Sequence, residues 1–195
     1  MIGKSSKKSA SKSESARSPK PARKPPAKPT GAKAATKAGQ AADLKEGDKA
    51  PDFTLQRDGE TTVSLSDFKG RQLVIFFYPR ADTPGCTTEA IDFTRLADAF
   101  AAAGTGLVGI SGDTVRQQTK FRDKHTLMVP LGADVELGTV KAYGAWGEKS
   151  MYGRTFLGIV RTTVLIGKDG RIRRIWRNVR VPGHAEEVLE AARHL

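Results

Sequence analysis

The run Leu73-Val74-Ile75-Phe76-Phe77-Tyr78 constrains the fold more than any other stretch of the chain. It is continuously apolar and rich in aromatic and β-branched residues, with a polar pair before it and Pro79 after it. That pattern predicts a strand covered on both faces, because a strand with one wet face alternates apolar and polar residues. Such a strand needs a layer of structure on each side.

The flanking segments can supply those layers. Ala50 to Leu55 and Thr62 to Leu65 flank the turn pair Asp58-Gly59 and read as two short strands, and Ser66 to Gly70 as a capped helical turn with a glycine stop. After a loop from Pro79 to Gly85, apolar residues at 90, 93, 96, 97 and 100 have helical spacing, with a stop at Gly104. Gly106 to Ser111 is the next expected strand, and Asp113 or Thr114 caps a polar helix running to about Lys124. Val129-Pro130-Leu131 is short and strand-like, and 135–142 suits a small helix. A glycine-dotted connection from Gly144 to Gly158 leads to a strand over 159–166, in which Arg161 is an interruption. The turn Lys168-Asp169-Gly170 returns the chain as a hairpin strand over 171–176, and Gly183 to Leu195 ends in an amphipathic helix. The order predicts an α/β fold with a mixed central sheet and helices on both faces, the thioredoxin-like arrangement.

The formal net charge of +12 is concentrated in one region. Residues 1–42 hold eleven Lys or Arg and one acid, Glu14, leaving 22 basic and 20 acidic residues in the remainder. The segment is built from Lys, Ala, Ser and Pro, and cannot bury enough apolar surface to offset its ordering entropy. We therefore expect a disordered basic tail over 1–43 and a single folded domain over 44–195. The tail is acid-poor and Ser-rich, as transit peptides are, but Lys-rich and proline-broken where those favour an Arg-bearing amphipathic helix. Met1-Ile2-Gly3-Lys4 is not followed by the apolar core of a secretory signal, and no run of eighteen apolar residues suggests a membrane span. A single cysteine forms no intrachain disulfide, so the expected location is the cytoplasm.

An isolated cysteine is more often a small buried hydrophobe than a catalyst. Cys86, however, follows an apolar strand, sits just past Thr83-Pro84-Gly85 and opens a helix, where unpaired amides and the helix dipole favour a thiolate. A thiol of ordinary pKa near 8.5 is only about 3% ionised at neutral pH, and reaching about 90% requires roughly 3.4 kcal/mol of preference for the charged form. A helix terminus supplies at most about 2 kcal/mol, so a further cation is needed. Arg161 is the candidate, since a charge inside an otherwise apolar strand requires a partner; the alternative is a surface arginine on an edge strand.

The segment Tyr78-Pro79-Arg80-Ala81-Asp82-Thr83-Pro84-Gly85-Cys86-Thr87 resembles the active-site loop of the peroxiredoxins, which reads Pro, three residues, Thr, two residues, Cys. Tyr143 to Gly153, continuing to Ile159-Val160-Arg161, is similar to the peroxiredoxin Q group, also called bacterioferritin comigratory proteins. The resemblance runs from about residue 44 to the end. It implies a thiol-dependent peroxidase for hydrogen peroxide and organic hydroperoxides, serving antioxidant defence. Cys86 would be the nucleophile that becomes a sulfenic acid, and Thr83 would hydrogen-bond the thiolate or the peroxide. Pro79 would shield the sulfur, Arg161 would stabilise its charge, and Glu89 would orient Arg161. Read as residues alone, Thr83 is also an ordinary turn or cap residue, Pro79 a strand end and Glu89 a first-turn acid compensating the helix dipole.

One position departs from that group's commonest pattern. Many members carry a resolving cysteine five residues after the first, where this chain has Ile91. The expected reductant is therefore an external thiol, thioredoxin or glutathione with glutaredoxin, acting on a monomer or weak dimer. No cofactor or metal is expected, because His125, His184 and His194 have no partner at metal-ligand spacing. The basic residues over 4–42 resemble linker-histone tails and suit non-specific nucleic-acid binding and a nucleoid or nuclear association, or they serve solubility alone. A thioredoxin-fold binding module with an inert Cys86 is the competing reading.

Overall fold

A computed structural model describes residues 44–151 and 153–195, with the side chains of Ser150 and Met151 excepted. The basic tail expected over residues 1–43 lies outside the described residues. Short strands β1 (Thr54–Arg57) and β2 (Thr61–Ser64) form a hairpin, followed by β3 (Gln72–Phe77). Helices α1 (Pro84–Arg95) and α2 (Ala97–Ala102) lead to β4 (Thr105–Ser111), then α3 (Val115–His125), β5 (Leu131–Ala133) and α4 (Gly138–Ala142). A second hairpin, β6 (Trp146–Met151) and β7 (Arg154–Ile159), precedes β8 (Thr162–Ile166), β9 (Ile172–Arg177) and α5 (His184–Arg193).

Seven strands form one sheet in the order β2-β1-β5-β4-β3-β8-β9, and β6-β7 stand apart as a two-stranded sheet. β3 pairs parallel with β4 and antiparallel with β8, so the sheet is mixed and β3 is interior. All six residues of β3 are buried. Successive side chains on a strand point to opposite faces, and the run divides accordingly. Val74, Phe76 and Tyr78 join a core with Phe93 of α1, Phe121 of α3 and Val188 of α5. Leu73, Ile75 and Phe77 join a second core with Val140 of α4 and Tyr143. This is the thioredoxin-like α/β architecture expected from the run's continuous apolarity.

Three local readings are corrected. The helix expected up to Gly104 divides at Leu96 (φ −97°, ψ 4°), whose N–H is shared between the Asp92 and Thr94 carbonyls, and it begins at Pro84, before the apolar stripe. The glycine-dotted stretch is a hairpin, with Gly147 opposite Gly158 and Lys149 opposite Phe156. The strand expected over 159–166 is two strands, with Val160 and Arg161 forming the crossover between the two sheets. Arg161 is thus neither inside the buried ladder nor on an edge strand, since β8 lies between β3 and β9. The crossover frees its side chain from the burial that a guanidinium in a central strand would suffer without a partner.

Candidate active site

Pro84 at the first helical position starts α1 with a ring already set for helical φ, and Thr83 is its extended N-cap. The first intrahelical bond of that turn runs from Thr87 N to Thr83 O (2.8 Å), which leaves the Gly85 and Cys86 amides ahead of the ladder. Cys86 is third in the helix and only 2% exposed, packed with Tyr78, Ala90 and Phe93 at the C-terminal end of β3.

Arg161 reaches this sulfur from the crossover. Its Nη2 donates to Cys86 Sγ at 3.4 Å, and its Nη1 is ion-paired with Glu89 Oε2. Burial works against the guanidinium charge, but the Glu89 and Cys86 charges outweigh it and hold the Arg161 pKa above its ordinary value. Gly85 makes room for the approach, since a Cβ there would stand 3.2 Å from Arg161 Nη2. Glu89 lies one turn further into α1, not in its first turn, which holds no acidic residue. It is 1% exposed, and its Oε1 has no hydrogen-bond partner. Burial pushes its carboxyl up to about 7, with Arg161 pulling the other way. Compensation of the helix dipole from a first-turn position is therefore not its setting; its contact is Arg161.

Thr83 and Pro79 lie at the two ends of the loop ahead of Cys86, and neither makes a hydrogen bond to the sulfur. Thr83 Oγ1 donates to the Arg80 carbonyl (3.0 Å), inside the loop. Pro79 is half-buried just after Tyr78, whose N–H makes a last ladder bond to Ile110 O (3.1 Å) that proline could not continue.

Sequence reasoning missed two features. Lys149 of β6 points toward the same region, donating from Nζ to the Ile159 carbonyl (3.0 Å). Burial lowers its pKa, repulsion from Arg161 adds to that, and the Cys86 charge opposes both. Recognising Gly147, Lys149, Phe156 and Gly158 as facing positions of a hairpin would have found it. The second is a buried polar chain beneath the loop. Tyr78 OH donates to Gln118 Oε1 (2.5 Å), and Gln118 Nε2 donates to Ser111 Oγ (2.9 Å) and Gly132 O (3.0 Å). Ser111 Oγ and the Ala81 amide both donate to Asp113 Oδ2, each at 2.7 Å. Burial holds the Tyr78 phenol well above its ordinary range, so it remains a donor. The chain anchors the loop to the start of α3 while leaving no cost of unpaired polar groups along it.

Among the described residues no three His, Cys, Asp or Glu gather at a metal-holding distance, and no helix is long and apolar enough to cross a membrane. What the site offers is a buried thiol at a helix start, opposite a fixed guanidinium, which suits attack by sulfur on an electrophile whose leaving group departs as an anion.

Comparison with known proteins points the same way. Residues 46–175 match the AhpC/TSA family. Peroxiredoxin Bcp of Bacillus subtilis is 41% identical over 152 residues, covering 78% of this chain and 97% of its own. Peroxiredoxin Bcp of Escherichia coli is 39% identical over 147 residues, covering 75% and 94%. A solved structure of the Xanthomonas campestris bacterioferritin comigratory protein, described in terms of its alkyl peroxide reduction activity, superposes with a TM-score of 0.71 at 38% identity, over 78% of this chain and 98% of that one.

Proposed function

We propose, from the premise that the chain belongs to the AhpC/TSA family and is a thiol-dependent peroxidase of the Bcp and peroxiredoxin Q group, that it reduces hydrogen peroxide and organic hydroperoxides through a sulfenic acid on Cys86. The observation that carries the reading is the Arg161 guanidinium, held by Glu89 on one nitrogen and set on Cys86 Sγ at 3.4 Å by another.

The thiolate attacks the terminal peroxide oxygen; an S–O bond forms and the O–O bond breaks. Sulfur is oxidised by two electrons, and the electron pair leaves on an alkoxide or hydroxide that takes a proton from solvent. Arg161 stabilises negative charge on the sulfur before attack and on the departing oxygen during it, with no reorganisation because Glu89 already fixes its orientation. Thr83, its hydroxyl proton engaged by Arg80 O, retains acceptor lone pairs for the peroxide O–H. Pro79 shields the sulfur from water at the head of the loop.

Cys86 is the chain's one cysteine, so a thiol from another molecule must reduce the sulfenic acid: thioredoxin, or glutathione with glutaredoxin. We place the protein in the cytoplasm, where such thiols are kept reduced, as a monomer or weak dimer, with residues 4–42 able to hold it near nucleic acid.

The test is consumption of hydrogen peroxide and of an organic hydroperoxide with dithiothreitol, thioredoxin, and glutathione with glutaredoxin in parallel. Cys86→Ser should abolish consumption with an unchanged circular dichroism spectrum, because it removes the nucleophile and little volume. Turnover retained by that variant would refute the reading.

A further inference from the structure

The two halves of the proposed cycle ask opposite things of the loop ahead of Cys86. Attack on peroxide needs the sulfur held against Arg161. Reduction needs a second sulfur to reach bonding distance of an atom whose residue is 2% exposed, so the start of α1 must lift. Something has to balance the two states, and the loop's contacts show where.

Its inner contact is the Ala81 amide on the Asp113 carboxylate, part of the buried polar chain. Its outer contact is Asp82, next to the N-cap Thr83. The Asp82 carboxylate accepts from Lys124 Nζ (2.9 and 2.7 Å) and shares a 2.8 Å hydrogen bond with His125 Nε2. Both partners lie in the last turn of α3, where the negative end of the helix dipole favours cations. His125 is braced by an edge contact with Phe121, 5.4 Å between ring centroids, and Phe121 packs against Tyr78 at 6.1 Å. Asp82 itself has φ 59°, a backbone state that few residues other than Gly, Asn and Asp accept readily. Lys124 first, then His125, hold its carboxyl below the usual range. The contact is nevertheless at the surface, with Asp82 43% and Lys124 62% exposed, so water can replace it when the loop moves.

We propose that Asp82 is a positioning residue, a latch tying the Cys86 loop to Lys124 and His125 of α3, which sets the balance between the closed state that attacks peroxide and the open state that an external thiol reaches. The inference rests on the sulfenic acid cycle above. In the second half, one thiol attacks the sulfenic sulfur, forming a mixed disulfide and releasing water. A second thiol then displaces Cys86, leaving as its own oxidised disulfide. Both displacements need the open state, whereas the first half needs the closed one.

Asp82→Asn tests this directly, because asparagine tolerates the same backbone state and removes only the charge. Rapid mixing of the full chain would follow sulfenic acid formation with peroxide and, separately, its loss on adding glutathione, with trapping by dimedone and mass spectrometry. The latch predicts shifts in opposite directions, oxidation slower by about threefold and reduction faster by a similar factor, with a melting temperature within about 2 °C of the wild type. Lys124→Met should shift both steps in the same senses, and the double variant should add little to Asp82→Asn. Any pattern in the single variant other than opposite shifts overturns the latch, since a merely structural loss slows both steps. Absence of sulfenic acid in the peroxide-treated wild type would sink the cycle and the latch together. A cycling wild type with an unmoved Asp82→Asn would sink the latch alone.

Discussion

Gly85 and Arg161 share a space that a methyl group would contest: a Cβ on Gly85 would lie 3.2 Å from Arg161 Nη2, the nitrogen that reaches Cys86. The end of an arginine can usually step aside, but this one is held by Glu89 on its other nitrogen. Gly85→Ala should therefore move the guanidinium off the sulfur and slow Cys86 oxidation by about tenfold, the loss expected of about 1.4 kcal/mol. Alanine is favoured over glycine inside a helix by up to about 1 kcal/mol, so stability should hold or rise. Rapid-mixing oxidation beside urea denaturation checks the split. A destabilised variant of normal rate would show that the glycine serves packing alone.

Two buried groups give a hidden pH dependence. His184 is 5% exposed, with Nε2 2.8 Å from Thr163 Oγ1, and burial pushes its pKa down to about 4, aided by the Arg161 charge. Its contribution to stability is complete above its ordinary pKa of about 6.5 and is lost as the pH falls through 4. Glu89 is raised to about 7, so its contribution is complete below its ordinary value and is lost as the pH rises through 7. The two oppose each other, and wild-type stability should change little between about pH 4.5 and 6.5. His184→Gln should uncover a fall in stability as pH rises across that window, and Glu89→Gln a rise. Each slope is bounded at about 1.4 kcal/mol per pH unit and reduced by solvent screening. Urea midpoints at three pH values decide it; parallel curves for all three proteins would discard the account.

The fold was legible where one residue pattern admits one layer arrangement. Leu73 to Tyr78 could only be a strand between two cores, and the two cores take its alternate residues. The Cys86 helix start was legible from Thr83-Pro84-Gly85, because proline at the first helical position acts locally. Arg161 was expected inside a strand and lies instead in the crossover between β7 and β8, with its guanidinium on Cys86. A charge in an apolar run signals a partner, but nothing local shows that the chain changes sheets there. Lys149 and the chain from Tyr78 to Asp113 were not legible, since the first depends on a hairpin masked by glycines and the second joins side chains 40 residues apart, Tyr78 and Gln118. Polar pairs of that separation are set by tertiary packing and leave no period in the sequence.

The eleven basic residues over 1–42 carry none of the sequence motifs from which the site is read. Deleting residues 2–42 should leave peroxide turnover nearly unaltered. If those lysines and arginines neutralise phosphates, the full chain should retard duplex DNA at low salt, with log affinity falling linearly in log salt. Equal retardation by the shortened chain would remove the tail from any account of nucleic-acid binding.

Ile91 stands where many relatives of this group carry a resolving cysteine, and the structure shows what that position demands. Cys86 and Ile91 both lie within α1, and Ile91 is 42% exposed, off the stripe that Ala90 and Phe93 bury. Five residues of α-helix separate two Cα atoms by at least about 7.5 Å along the axis, whereas a disulfide needs less than about 7 Å. A cysteine at 91 can meet Cys86 only if the first turns of α1 unwind, which also breaks the contact between Cys86 and Arg161. Ile91→Cys should therefore be oxidised normally by peroxide and then form an intrachain disulfide, with a loss of helical circular dichroism that the peroxide-treated wild type does not show. Non-reducing peptide mapping and the far-ultraviolet spectrum read the two events. Accumulation of a stable sulfenic acid in the variant, with no disulfide and no loss of helix, would mean that α1 is too rigid to open. An external thiol would then have to reach Cys86 by another route.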